Sequence, residues 1–172
     1  SGRTAEARAL LEGSISQALS EGNESLAAQA RFQLAWLNAR SHRVAEAVSD
    51  MREVLKFAEE DGDRPLESRA LGELALSHHL LGERQESEAC FRRGIRIARE
   101  LGLSTVEAAQ LNTLTRIYHE QGRNEDALKA AIKARDLARE CGALKSEALA
   151  EGNIASLRMN MGDGTVAMES WE

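Results

Sequence analysis

Histidine comes first among the residues that could carry chemistry here, because imidazole is a common metal ligand and general base. Three of the four histidines, His78, His79 and His119, are candidates for one site, and His79 and His119 stand 40 residues apart. A zinc site needs three or four ligands at about 2 Å from one ion. Neighbouring helix axes lie about 8–10 Å apart, so we expect these histidines to form polar surface and no metal site.

Other signals for catalysis are weak. Cys90 and Cys141 have no CxxC spacing and are expected to be free, buried thiols in a reducing compartment. The sequence contains no phosphate-binding glycine loop, no GxSxG and no HExxH. Adjacent carboxylates such as Glu59 and Glu60 read as solvated helix ends. We therefore expect no catalytic residue, no cofactor and no enzyme activity.

Composition favours a helical protein. Of the 172 residues, 42% are hydrophobic, 29% are charged and only one is proline. The net charge of −6 gives no general attraction to phosphate backbones, which argues against nucleic acid as a partner. No apolar run approaches the roughly 20 residues that a membrane helix needs. These features predict a soluble, all-α protein of the cytoplasm, without a membrane partner.

Glycine marks an internal repeat of 40 residues. One series stands at Gly22, Gly62, Gly102 and Gly142, and a second, shifted by 20, at Gly82, Gly122 and Gly162, with His42 in its first slot. Glycine at the residue after a helix takes the left-handed conformation without a steric cost. Two glycines per period therefore predict two helices per repeat, here called A and B.

The repeat yields a map of one array over residues 1–172. It consists of a half repeat at 3–21, full repeats near 24–61, 64–101 and 104–141, and a truncated repeat at 144–172. Because the array starts and stops within a repeat, we expect it to be a segment of a longer protein. Ser104 with Glu107 predicts a capping box at one A helix, and Asn23 and Asn124 are expected to cap two others.

The pattern resembles the tetratricopeptide repeat (TPR) family. The residues that carry the resemblance are Leu34-Ala35 and Ala47, then Leu74-Ala75, Gly82, Ser87 and Phe91, then Leu114-Thr115, Gly122 and Ala127, and finally Ile154-Ala155, Gly162, Ala167 and Trp171. The 40-residue period is longer than the commoner 34 of the family and is similar to the long-helix variety of kinesin light chains and bacterial regulators. The resemblance implies a right-handed superhelical solenoid of antiparallel helix pairs.

The same resemblance implies that the A helices line a concave groove that binds partners. The groove positions carried over from the family are Phe32, Trp36, Arg40, Arg69, Leu76, His79, Asn112, Arg116 and His119. Trp36 and Phe32 would supply affinity, because aromatic residues dominate binding hot spots. Asn112 would hold a peptide backbone and Arg116 a carboxylate. The alternatives are that Phe32 and Trp36 belong to the core and that Asn112 and Arg116 are merely solvated.

We therefore expect a protein–protein interaction scaffold that binds a partner peptide or helix, acidic with apolar anchors. One alternative is a sensory or regulatory module of a larger bacterial signalling or transcription-regulatory protein. Another is a self-associating structural module, in which Met161, Met168 and Trp171 at the open end pair with a second copy.

Overall fold

The computed structural model describes residues 2–162, which form eight α-helices and no strand. Their bounds are α1 Gly2–Ser20, α2 Glu24–Arg40, α3 Val44–Asp61, α4 Arg64–Leu80, α5 Arg84–Glu100, α6 Ser104–Glu120, α7 Asn124–Glu140 and α8 Leu144–Asn160. The predicted all-α class of antiparallel helix pairs is confirmed over this range. The predictions for Ala167, Met168 and Trp171 lie outside the described residues.

The chain divides into two compact units within α5, between Gly94 and Ile95. In the first unit, α2 packs on α1 and α3, and α4 packs on α3 and touches α2. Its core is formed by apolar residues of α2, α3 and α4. The buried members of that cluster are Ala28, Phe32, Ala35, Val48, Met51, Val54, Ala58, Leu66, Ala70 and Leu74.

The second unit repeats this arrangement. Helix α7 packs between α6 and α8, which also contact each other. Ala127 and Ala131 of α7 are fully buried against Ile154 and Leu157 of α8. Tyr118 of α6 packs against the same cluster. Small side chains on the B-type helix therefore allow both A-type helices to approach it closely.

Helix ends follow the repeat, with one substitution that requires explanation. Gly82 after α4 has φ +79°, and the other glycines of both series are also left-handed. His42 after α2 occupies the corresponding slot with φ 60°, and no other non-glycine residue of the described chain has positive φ. Because a Cβ is disfavoured in this conformation, the first full repeat carries local backbone strain at His42.

The predicted caps are only partly correct. The Asn23 side chain accepts a hydrogen bond from the backbone N–H of Leu26 at 3.0 Å, as expected for an N-cap. The capping box at Ser104 is wrong, because Ser104 is already the first residue of α6 and Leu103 precedes it without a side-chain cap. Asn124 is likewise the first residue of α7 and not its cap.

Glu107 takes part in an ion pair instead of capping. Its side chain is 4% exposed, with Oε1 3.0 Å from Arg99 of α5 and 3.2 Å from Lys133 of α7. Its counterpart 40 residues earlier, Glu67, is equally buried and pairs with Arg93. Desolvated carboxylates require such partners, so these glutamates tie the start of an A helix to B helices.

Replacing Ala127 by leucine is expected to overpack the contact between α7 and α8. The extra volume has nowhere to go, because Ala127 is 0% exposed, and the loss of stability should be about 1–3 kcal/mol. Chemical denaturation would measure it. Ala109→Leu, at an exposed position of α6, is the matched control and should change the free energy of unfolding by less than about 0.5 kcal/mol.

His42→Gly is expected to raise the melting temperature, because glycine adopts positive φ without a Cβ clash. The gain in the free energy of unfolding should be no more than about 1 kcal/mol, since glycine also increases the entropy of the unfolded chain. The reciprocal change, Gly82→His, should lower the melting temperature. A His42→Gly variant that melts below the wild type would show that the imidazole makes a stabilising contact.

Candidate functional site

The A helices of the first unit, α2 and α4, present the most distinctive exposed surface. Trp36 on α2 is 41% exposed and does not belong to the core cluster. The guanidinium of Arg40, one turn further along α2, lies 4.7 Å from the centre of the Trp36 ring. This cation–π contact holds a large aromatic face in position while leaving it open to solvent.

Phe32 lies one turn before Trp36 but has a different role. Its side chain is only 7% exposed and belongs to the core of the first unit. Arg69 of α4 covers the ring, with its guanidinium 4.8 Å from the ring centre. Phe32 therefore belongs to the core and Trp36 is exposed, and a binding role for Trp36 stays a prediction. The two arginines and two aromatic rings of α2 and α4 form what we call the α2–α4 surface.

An open pocket of about 550 Å³ adjoins this surface. It is lined by residues of α1, α2 and α4, among them Leu11, Leu26, Gln29, Phe32 and Arg69. Its walls combine apolar side chains with amide and guanidinium donors. Pockets of this composition accept an apolar side chain and hold the polar groups beside it.

Glu73 of α4 is a member of the α2–α4 surface that the sequence analysis missed. Burial raises the pKa of its carboxyl group, and the charges of Arg69 and Arg40 partly oppose that effect. One acidic group therefore lies within the field of two basic ones. Its position four residues after Arg69 was the available signal, because residues i and i+4 share a helix face.

Leu76 and His79 continue α4, and both are half-buried. The neighbouring His78 is buried and bonds through Nδ1 to the carboxylate of Glu83. Among the described residues, no group of three or more histidine, cysteine, aspartate or glutamate side chains could hold a metal ion. His79 and His119 occupy equivalent positions of two repeats, 40 residues apart.

The predicted residues of the second unit lie on α6, and two of them, Asn112 and His119, contact α8. Asn112 is buried and donates from Nδ2 to the backbone oxygen and the hydroxyl of Ser146, both at 3.1 Å. The solvated alternative is therefore wrong for Asn112, which ties α6 to α8. Arg116 is exposed and pairs with Glu120 at 2.6 Å, which leaves its guanidinium partly neutralised.

His119 is also held by side chains of its own unit. Its Nδ1 lies 3.0 Å from Oδ1 of Asn124, and its Nε2 lies 3.3 Å from Nδ2 of Asn160. An Nδ1–H that donates to Asn124 and an Nε2 that accepts from Asn160 would satisfy both bonds. The second unit therefore uses its candidate polar residues largely within the fold.

The two thiols are free and differ in their surroundings. Cys90 is half-buried, and burial raises the pKa of its thiol. Cys141 is exposed, so the expectation of a buried thiol is wrong there. Its position at the end of α7 explains the difference, because the last turn faces the inter-helix loop. Within the described residues, no helix is long and apolar enough to cross a membrane.

Two family models match the sequence. Residues 66–140 match the model described as tetratricopeptide repeat. This region of the chain carries tetratricopeptide repeats. Residues 6–71 match the model of anaphase-promoting complex subunit 5, and a search of curated proteins found no significant match.

Solved structures resemble the TPR chain over almost its whole length. BtubC (BKLC) from P. vanneervenii is 16% identical with a TM-score of 0.83, covering 98% of this chain and 70% of that one. TPR-like repeats described as a kinesin light chain of Podosopora anserina are 18% identical with a TM-score of 0.76, covering 99% and 84%.

The apo form of RapI is 15% identical with a TM-score of 0.76, covering 95% of this chain and 47% of that one. At such identities the likeness establishes the fold. The expected resemblance to the kinesin light chain variety of TPR is thereby confirmed.

Glu73→Gln is expected to stabilise the protein at pH 7. Because the folded-state pKa of Glu73 lies above its unfolded value, the stability associated with this group is present at low pH and is lost as pH rises through the folded pKa. The difference in melting temperature should therefore disappear below the unfolded pKa of about 4.3. Glu60→Gln, at an exposed position, is the control; a less stable Glu73→Gln at pH 7 would contradict the argument.

Proposed function

We propose that this TPR module is a protein-interaction scaffold and that the α2–α4 surface binds a partner peptide that is acidic and carries apolar anchors. The observation that carries the proposal is the exposed Trp36 ring under the Arg40 guanidinium. TPR folds in general serve as scaffolds for other proteins. We assign that general role to the α2–α4 surface.

Trp36 supplies the apolar part of the argument. A tryptophan that stays 41% exposed has apolar area still to be removed from water, and burying it against a ligand is favourable at about 25 cal/mol per Å². Its orientation is already restrained by Arg40, so little side-chain entropy remains to be lost on binding. Rigid, exposed aromatic residues of this kind dominate binding hot spots.

Arg40 and Arg69 supply the polar part. Within the described residues, neither guanidinium forms an ion pair with a carboxylate; both lie over aromatic rings instead. A guanidinium that stacks by its face keeps its N–H donors at the edge available for a carboxylate or a backbone carbonyl. The two arginines are therefore suited to an acidic ligand, although the protein as a whole carries a net charge of −6.

Glu73 sets the selectivity of this surface. It reduces the positive field of Arg40 and Arg69, so a ligand carboxylate has to compete with a carboxylate of the protein. The charges would then mainly steer association and orient the peptide, while the Trp36 contact provides most of the affinity. Glu73→Gln removes the competitor and should tighten the binding of an acidic peptide.

Trp36→Ala is expected to weaken peptide binding by at least ~2 kcal/mol, roughly thirtyfold, without unfolding the protein. The probe is the set of peptides selected from a random display library on the wild-type chain, with affinity measured by fluorescence anisotropy. The selected peptides should be enriched in Asp or Glu beside an aromatic or aliphatic residue. Affinity should fall as salt concentration rises.

Leu101→Ala is the matched control, because Leu101 is also a large exposed apolar residue, 43% exposed, but lies in the other unit. It should leave binding unchanged. Selected peptides that bind Trp36→Ala as tightly as the wild type would refute the proposed surface. A Trp36→Ala variant that unfolds would place Trp36 in the core and refute it as well.

A further inference from the structure

A second pocket lies on a different side of α2, where α2 faces α1 and α3. Its volume is about 410 Å³. Ile15 of α1 and Leu34 of α2 form an apolar wall, and both belong to one buried cluster. Arg31, Asn38 and Asp50 form a polar wall. We call this the α1–α2–α3 pocket.

The repeat itself provides an internal reference for this pocket. Arg31 stands where the next two repeats have Leu71 and Leu111, which are 2% and 6% exposed. Asp50 stands where they have Cys90 and Ala130. The first full repeat therefore carries charged groups at two positions where the fold accepts apolar or weakly polar side chains.

Asn38 creates the space. The next two repeats place the larger rings of His78 and Tyr118 at this position, and Tyr118 packs against the core of its own unit. The shorter asparagine leaves volume between the helices that a ring would fill. Three polar departures from the repeat thus converge on one pocket, although burying polar groups lowers stability.

The polar wall has unused hydrogen-bond acceptors. Asn38 is 3% exposed and donates from Nδ2 to Oδ2 of Asp50 at 3.1 Å, and its own Oδ1 is buried without a hydrogen-bond partner. Within the described part of the chain, the second oxygen of Asp50 makes no hydrogen bond. An orphaned buried acceptor is costly, which indicates that a donor belongs here.

The charges around the pocket favour a cationic donor. Arg43 pairs with Glu46 at 2.9 Å, and Arg31 lies 3.6 Å from Glu53, so both basic groups are already matched by acids. The carboxylates of Asp50 and of Glu12, which also lines the pocket, form no ion pair in the described part of the chain. Burial raises the pKa of Asp50, and the charges of Glu12 and Glu46 add to the increase, while the hydrogen bond from Asn38 and the charge of Arg31 lower it. The pKa stays raised on balance, so Arg31 and Asn38 compensate the ionised form of Asp50 only in part.

We infer that the α1–α2–α3 pocket binds an alkylammonium group. The ammonium would donate to Oδ1 of Asn38, to Asp50 and to Glu12, since it carries three donors and no acceptor. The alkyl chain would lie against Ile15 and Leu34. An alkylammonium group occurs both in a free amine and in the lysine side chain of a partner. The function of this pocket is separate from peptide binding at the α2–α4 surface.

The test is an NMR titration of the wild-type chain with n-butylammonium, followed through the side-chain NH₂ signals of Asn38. We expect saturable shifts with a dissociation constant of about 1 mM or tighter. n-Butanol, which has a similar shape and no charge, should give no saturable shift. Titration with Nα-acetyl-lysine-N-methylamide separates the two sources: comparable binding indicates a lysine side chain, and binding of butylammonium alone indicates a free amine.

Two variants make the inference falsifiable. Asp50→Asn keeps the size of the side chain and should weaken binding at least tenfold, whereas Glu86→Gln, an exposed acid at the position equivalent to Glu46 in the next repeat, should not. Asn38→Tyr restores the ring found at Tyr118, should fold, and should abolish the shifts of other residues around the pocket. Equal responses to butanol, no saturable shift in the wild type, or undiminished binding by Asp50→Asn would overturn the inference.

Discussion

Close approach of neighbouring helices is the constraint on which the rest of this structure depends. The repeat meets it with small residues on the B-type helices at two positions of the 40-residue period. These are Ala18, Ala58, Ala98 and Ala138 at one position and Ala47, Ser87 and Ala127 at the other, all between 0% and 3% exposed. A larger side chain at any of them would separate an antiparallel pair and disturb the next contact along the array. Glycine, left-handed at most of the turns between helices, keeps the connections short enough for that packing.

Because small residues bring the helices together, polar side chains lie in one of two environments, either buried between helices or open to solvent. Glutamates at the start of A helices are buried and require basic partners from B helices, as Glu107 does with Arg99 and Lys133. Side chains on the open face of an A helix have no such requirement, and Trp36 and Arg40 can stack in solvent. Polar side chains are therefore buried in ion pairs on one side of a helix and stay open to solvent on the other.

The repeat also makes departures from it informative. At a position where Leu71 and Leu111 are buried, the charged Arg31 departs from the pattern of the next two repeats. The same holds for Asp50 and for the short Asn38, and all three line one pocket. Proteins violate their own packing rules mainly at functional sites. Comparison between repeats of one chain thus locates candidate sites by the cost in stability that the next two repeats avoid.

The sequence by itself determined the helical class, the 40-residue period and the kinship to TPR proteins, because glycine spacing and small residues are local requirements of each helix pair. It also placed Trp36 and Arg40 on a common face, since a helix carries residues i and i+4 on one side. Only the tertiary structure separated Phe32 from Trp36, because burial depends on which neighbouring helix covers each ring. It likewise placed Glu73 beside Arg40 and Asn38 beside Asp50, since these pairs lie on different helices. Helix periodicity fixes which side of one helix a residue occupies, and packing alone fixes what that side meets.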